Sequence, residues 1–192
     1  DLMSFLCVRL PADVSRVLST IEVPGTPEPP GFMHVTLEYF GPNIPIEELA
    51  KVTVATFEVT QETRPFSMRT SKVTCFNNPE ECPVICAVDS PPLHELHDRL
   101  RASFDRHGVE YSKKWPDYKP HVTLSYAKEP IEDREIPSIE WGCHELLLCG
   151  GDEADQRISV NFPLTLSMSQ RIARRFQGQN RISSRQDFGG SR

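Results

Sequence analysis

The clearest pattern along the chain is alternation of apolar and polar residues. Between positions 31 and 40, Met33, Val35, Leu37 and Tyr39 alternate with His34, Thr36 and Glu38, until Gly41-Pro42 ends the run. Between 118 and 127, Val122, Leu124 and Tyr126 alternate with His121, Thr123 and Ser125. Successive side chains of a strand point to opposite faces, so each segment predicts a strand with one apolar and one polar face. Residues 2–10, 66–76, 84–88, 141–149 and 157–166 predict further strands, with Asn77-Asn78-Pro79 turning a hairpin and Gly150-Gly151-Asp152 separating the last two. Helical spacing marks 12–23 (Val14, Val17, Leu18, Ile21), 46–59 (Leu49, Val52) and, most regularly, 92–107 (Leu93, Leu96, Leu100, Phe104), which Pro91-Pro92 precedes and Gly108 stops. The segment Pro24-Gly25-Thr26-Pro27-Glu28-Pro29-Pro30 suits neither element and predicts a loop. The order βαβαββαβββ, with one kind of strand met twice, predicts an α+β fold of two related lobes.

Composition narrows the class. A chain of 192 residues can bury a sizeable core, and its longest apolar runs fall far short of the ~20 residues of a membrane-spanning helix. No membrane association is expected. Seventeen prolines disfavour long bundles and coiled coils. The net charge of −6 is unevenly distributed, because residues 167–192 hold six arginines and one aspartate and leave an acidic body at 1–166. Such a body does not suit binding along duplex DNA, so a nucleotide or short RNA-type ligand meeting a local pocket is the better fit. The tail, poor in hydrophobic residues, is expected to be flexible, a linker to or contact for another component. Six cysteines in a chain of this size read as reduced thiols, and the protein is expected to be cytoplasmic and monomeric.

The two alternating strands share the tetrapeptide His-Val-Thr-Leu. With 6 His and 11 Thr in the chain, His-x-Thr is expected about 0.3 times by chance, so two copies, both on amphipathic strands, point to chemistry. Two imidazoles converging on one pocket can take a proton from a nucleophile and give one to a leaving oxygen. Two threonine hydroxyls beside them can donate to the non-bridging oxygens of a phosphate. A phosphodiester is the substrate that needs this set, most aptly a 2′,3′-cyclic phosphate or a diester beside a 2′-hydroxyl.

The paired His-x-Thr strands, the first ending in Phe40-Gly41 and the second preceded by Pro120, resemble the 2H phosphoesterase superfamily over residues 2–166. The resemblance implies two pseudo-symmetric lobes of antiparallel sheet with flanking helices around a central cleft. It further implies phosphodiesterase activity on a 2′,3′-cyclic phosphate, a 2′-5′ linked oligonucleotide or a cyclic nucleotide, with no metal and no cofactor. His34 and His121 carry over as the acid–base pair, and Thr36 and Thr123 as phosphate binders. Glu38 and Ser125 are expected on the catalytic faces with no assigned role.

Secondary candidates are Trp115 and Tyr118 for stacking on a base, and Lys119 and Arg69 for phosphate, with Lys113, Lys114 and Lys72 as comparable cations. Cys75, Cys82, Cys86, His94 and His97 have spacings that match no usual zinc pattern. His107, at a helix C-terminus, and His144, with no threonine two positions on, do not read as catalytic. The alternative to an enzyme is a module that binds a nucleotide or RNA phosphate without turnover, as an accessory domain of a larger protein.

Overall fold

The computed structural model describes residues 3–151 and 156–165, so the expected tail at 167–192 lies outside the described residues. Ten strands and three helices follow in the order β1 (Met3–Arg9), α1 (Ala12–Ser19), β2 (Thr26–Pro27), β3 (His34–Pro42), α2 (Ile46–Gln61), β4 (Phe66–Cys75), β5 (Cys82–Asp89), α3 (Pro91–Arg106), β6 (His121–Ala127), β7 (Arg134–Glu135), β8 (Glu140–Cys143), β9 (Glu145–Gly151) and β10 (Arg157–Pro163). A short 3-10 turn at Pro30–Phe32 leads into β3. The strands form one antiparallel sheet in the order β10-β9-β1-β3-β6-β5-β4-β7, with β2 added on β6 and β8 on β4. The α+β class and the antiparallel sheet with its helices agree with the expectation from sequence, and the sheet is a single open one.

Each helix starts where a proline fixes the backbone, Pro11 before α1, Pro45 before α2 and Pro91 opening α3. α1 stops at Ser19, four residues short of the predicted end. Ser19 Oγ donates to the Ser15 carbonyl and Thr20 Oγ1 to the Val17 carbonyl, and such local bonds compete with helix continuation. Ile21 and Val23 still pack on the core without helical structure. The predicted strand 141–149 is two strands that break at His144, and they serve opposite ends of the sheet, β8 on β4 and β9 on β1. The predicted loop at 24–30 contains β2, where Thr26 and Pro27 pair with Tyr126 and Ser125. Gly25 makes this strap possible, since its φ of +92° favours glycine and a Cβ there would lie 2.2 Å from the Tyr126 carbonyl oxygen.

The two motif strands meet in the middle of the sheet, where Val35 stands opposite Val122 in antiparallel register. These valines are the middle residues of the two His-x-Thr triplets, so the seam is also the axis of internal symmetry. Val35, Leu37, Val122 and Leu124 belong to one core with Val14 and Leu18 of α1 and Leu93, Leu96, Leu100 and Phe104 of α3. Burial of these side chains fixes which face of β3 and β6 turns inward and leaves the other face to form the cleft.

Candidate active site

Antiparallel register at Val35 and Val122 sets His34 across from Thr123 and Thr36 across from His121, all four on the face opposite the buried valines. His34 Nδ1 lies 2.6 Å from the Phe32 carbonyl oxygen and His121 Nδ1 lies 2.7 Å from that of Lys119. A carbonyl only accepts, so each Nδ1 carries the proton and each neutral ring keeps its lone pair on Nε2. The two histidines are thus held in the same tautomer by the same device, a carbonyl two residues upstream. Their surroundings differ. The Phe5 ring stacks on His34 with centroids 4.9 Å apart, whereas Phe76 meets His121 edge-on at 4.8 Å. Burial holds the His121 pKa below the usual histidine range despite the Lys119 hydrogen bond, and the charge of a protonated His34 lowers it further.

A cavity of about 410 Å³ opens on this face, a volume in the range of small-ligand sites. Thr36, His121 and Thr123 line it, and so do Lys119, Trp115 and Tyr118. His34 stands beside Thr36 on β3 but is not one of the lining residues. Trp115 is half exposed at the mouth, with Lys114 Nζ 5.0 Å from its ring centroid. Tyr118 is more constrained than a free stacking platform would be. Its hydroxyl donates to the Thr36 carbonyl at 2.9 Å, and its ring lies parallel on His97 at 4.0 Å. Arg69 and Lys72, expected as phosphate cations, do not line the cavity. Arg69 pairs with Asp89 across the β4–β5 hairpin and Lys72 with Asp133 just before β7, partners far from them in sequence.

Both motif strands carry a β-bulge that simple alternation does not foresee. In β3, Thr36 pairs with Cys7 and Glu38 with Leu6, so Leu37 has no partner of its own. In β6, Thr123 pairs with Ile85 and Ser125 with Val84, so Leu124 is the extra residue. One extra residue inverts the faces that follow it. Glu38 and Ser125 therefore no longer project beside Thr36 and Thr123 and are buried at 5% and 0% exposure, Ser125 away from the cavity and Glu38 at its wall. Tyr39 and Tyr126, expected in the core, line the cavity instead. Thr36 Oγ1 donates to the Tyr39 hydroxyl at 3.4 Å, which places a phenol beside the first phosphate-binding candidate. The signal was present in the sequence, because the repeat extends beyond His-Val-Thr-Leu to a tyrosine at the same distance in both copies.

Beneath the bulges the two buried polar groups have separate partners. Ser125 Oγ donates to the Pro24 carbonyl at 2.7 Å and fastens the strap onto β6. Glu38 accepts from Arg101 Nε at 2.8 Å and Nη2 at 3.4 Å, with His97 Nε2 3.9 Å away. Glu38, His97 and Arg101 form one wall of the cavity. Burial raises the Glu38 pKa above the ordinary carboxylate value, and this outweighs the opposing pull of Arg101. All six cysteines are free thiols, and among the described residues no group of three or more His, Cys, Asp or Glu side chains is placed to hold a metal. No helix among the described residues is long and apolar enough to cross a membrane.

The 2′-5′ RNA ligase superfamily matches residues 29–148, which include both His-x-Thr strands. No curated protein sequence matches the chain. Among solved structures, TT0787 of Thermus thermophilus is 22% identical, with a TM-score of 0.66 over 85% of this chain and 98% of its own. A crystal structure described as a phosphoesterase gives a TM-score of 0.67 at 18% identity, over 86% of this chain and all of that one. E. coli LigT, solved also with 3′-AMP, ATP, NADP+ and phosphate, gives 0.62 at 18% identity in its apo form, over 85% of this chain and 98% of its own. The family match spans more than half of the chain, and the fold agrees from one end of these structures to the other: the chain belongs to the 2′-5′ RNA ligase superfamily, the 2H phosphoesterases.

Proposed function

We propose that this protein is a metal-independent phosphodiesterase that opens a 2′,3′-cyclic phosphate or cleaves a 2′-5′ linked or cyclic oligonucleotide by two-histidine acid–base catalysis. The observation that carries the reading is the antiparallel seam at Val35 and Val122, which sets each imidazole opposite the other motif's threonine. Membership of the superfamily, and the nucleotides found bound to E. coli LigT, support a nucleotide-type ligand.

For a cyclic phosphate the sequence of events follows from the groups present. His121, favoured in its neutral form by burial, takes a proton on Nε2 from water as the water oxygen attacks phosphorus. Protonated His34 gives its Nε2 proton to the departing ribose oxygen. Water supplies the oxygen that phosphorus gains, the ribose oxygen leaves as a hydroxyl, and each histidine returns to its starting state by proton exchange. Thr36 and Thr123 donate to the non-bridging oxygens and hold the phosphorus in line, with the Tyr39 phenol within reach of the Thr36 hydroxyl. In this reading Trp115 and Lys119, which both line the cavity, contact the nucleoside and its phosphate.

The test is a panel of 2′,3′-cyclic nucleotides, 2′-5′ oligoadenylates, cyclic dinucleotides and RNA ends in excess EDTA, with products assigned by phosphorus NMR. Turnover in chelator with one regiochemistry is expected. Activity that disappears on chelation and returns with a single metal would replace this reading with a metallohydrolase. Tight binding without turnover of any member would replace it with a binding module.

A further inference from the structure

His121 is aimed by the Lys119 carbonyl, so whatever fixes that carbonyl fixes the catalytic nitrogen. The neighbouring residues hold it from two sides. Pro120 has a locked φ, and its carbonyl accepts from the Val88 N–H at 3.0 Å. Tyr118, one residue before Lys119, is held by three independent contacts. Its hydroxyl donates to the Thr36 carbonyl on the other motif strand, its ring stacks flat on the buried His97, and the edge of His94 meets it at 5.5 Å. His94 and His97 lie on α3, the same helix whose Arg101 grips Glu38 two residues after Thr36. The seam between the motif strands has register only at Val35 and Val122, so Tyr118 supplies a second tie between the halves of the site, from the root of one motif to the backbone of the other.

From this geometry we infer that Tyr118 is a positioning residue. Its hydroxyl, bonded to the Thr36 carbonyl, sets the distance and tautomer of His121 relative to the phosphate-binding threonine of the opposite motif. This rests on the two-histidine reading above, and it differs from the expected role of Tyr118 as a base-stacking group. A stacking group acts on substrate affinity through its ring. A positioning hydroxyl acts on the chemical step through His121.

Tyr118→Phe separates the two, because it keeps the ring and its His97 stack and removes only the hydroxyl. The expected result is a fall in kcat of about 10- to 100-fold with KM changed less than about twofold, on the scale that misplacement of a catalytic group produces. On a His121→Ala background the same change should have no further effect, since the group it positions is gone. Long-range proton–nitrogen NMR of the histidine rings should show His121 as the Nδ1–H tautomer in the wild type and as a tautomer mixture in Tyr118→Phe. A normal kcat in a folded Tyr118→Phe protein, a raised KM at constant kcat, or an equal loss on the His121→Ala background would each overturn the inference. If His121→Ala is itself fully active, the two-histidine reading falls. The His121 tautomer in Tyr118→Phe then decides the positioning on its own, and an unchanged tautomer refutes it.

Discussion

Glu38 offers the sharpest test of the site's electrostatics, because two substitutions there should behave differently. Glu38 is 5% exposed and accepts two hydrogen bonds from Arg101, whose side chain retains about a quarter of its exposure. Glu38→Ala removes both bonds and leaves the guanidinium without its anion. A charge-assisted hydrogen bond contributes ~1.5–3 kcal/mol. Because Arg101 still reaches water, the cost should stay below the ~3–5 kcal/mol of breaking a wholly buried pair, so about 2–3 kcal/mol is expected. For a domain of this size that lowers Tm by about 4–12 °C. Glu38→Gln should cost about 1 kcal/mol or less, because burial already disfavours the ionised carboxylate more than Arg101 favours it, and the amide keeps an acceptor for the guanidinium. The sign of the pH dependence follows. A carboxyl whose folded pKa lies above its unfolded value contributes stability that is complete below about pH 4.5 and is lost as pH rises through the folded value. The stability of the wild type relative to Glu38→Gln should therefore decline as pH rises from 4.5. Thermal and urea unfolding followed by circular dichroism, from pH 4 to 7, measures all of this. If Glu38→Gln costs as much as Glu38→Ala at pH 7, the ionised pair is a net stabiliser and the burial argument is wrong. In single-turnover assays Glu38→Gln should keep its rate within about tenfold. A loss as large as that of His121→Ala would make Glu38 a proton-transfer group.

Three further outcomes are expected. His34→Ala and His121→Ala should each fold and each lose roughly 10²–10⁴-fold in the chemical step, with the double variant losing less than the product, as single-turnover rates with a circular dichroism control will show. The rate against pH should be a bell, and with His121 as the base its acid limb should lie below the ordinary histidine value of 6.5, since burial keeps that ring neutral to lower pH; an acid limb above 6.5 would reverse the assignment. Deleting residues 170–192 should leave mononucleotide turnover unchanged while weakening binding of longer polyanions, read as a smaller dependence of affinity on salt concentration.

How far the sequence discloses this protein can be judged residue by residue. The periodicities disclose the two motif strands and the cores of the three helices, because burial on one face imposes a period that composition records directly. The pair His34 and His121, brought together at the seam, is legible because it repeats. Long-range pairing is not. Nothing local to Arg69 or Lys72 tells that Asp89 and Asp133 neutralise them, 20 and 61 residues away, and nothing local to 141–149 tells that the chain crosses from one end of the sheet to the other at His144. The bulges at Leu37 and Leu124 are hidden for a different reason. Reading a strand by twos assumes an unbroken ladder, and one inserted residue reverses the assignments after it until a second shift, as at Phe40 in β3, reverses them again.

That reversal has an electrostatic consequence which explains why such an irregularity suits this site. In an unbroken strand Glu38 would project on the same face as Thr36, two residues or about 6.6 Å along. With an effective dielectric near 20, a carboxylate at that distance from a phosphate bound on Thr36 would repel each unit of its charge by about 2.5 kcal/mol. The repulsion would grow as negative charge built up on the phosphorus oxygens. The extra residue at Leu37 instead turns Glu38 toward Arg101 on α3, where its carboxyl is paired, and brings the Tyr39 phenol beside the Thr36 hydroxyl. In β6 the same irregularity exchanges Ser125 for Tyr126, which lines the cavity with Thr123, while the carboxyl of Glu38 meets the cavity only through its pairing with Arg101.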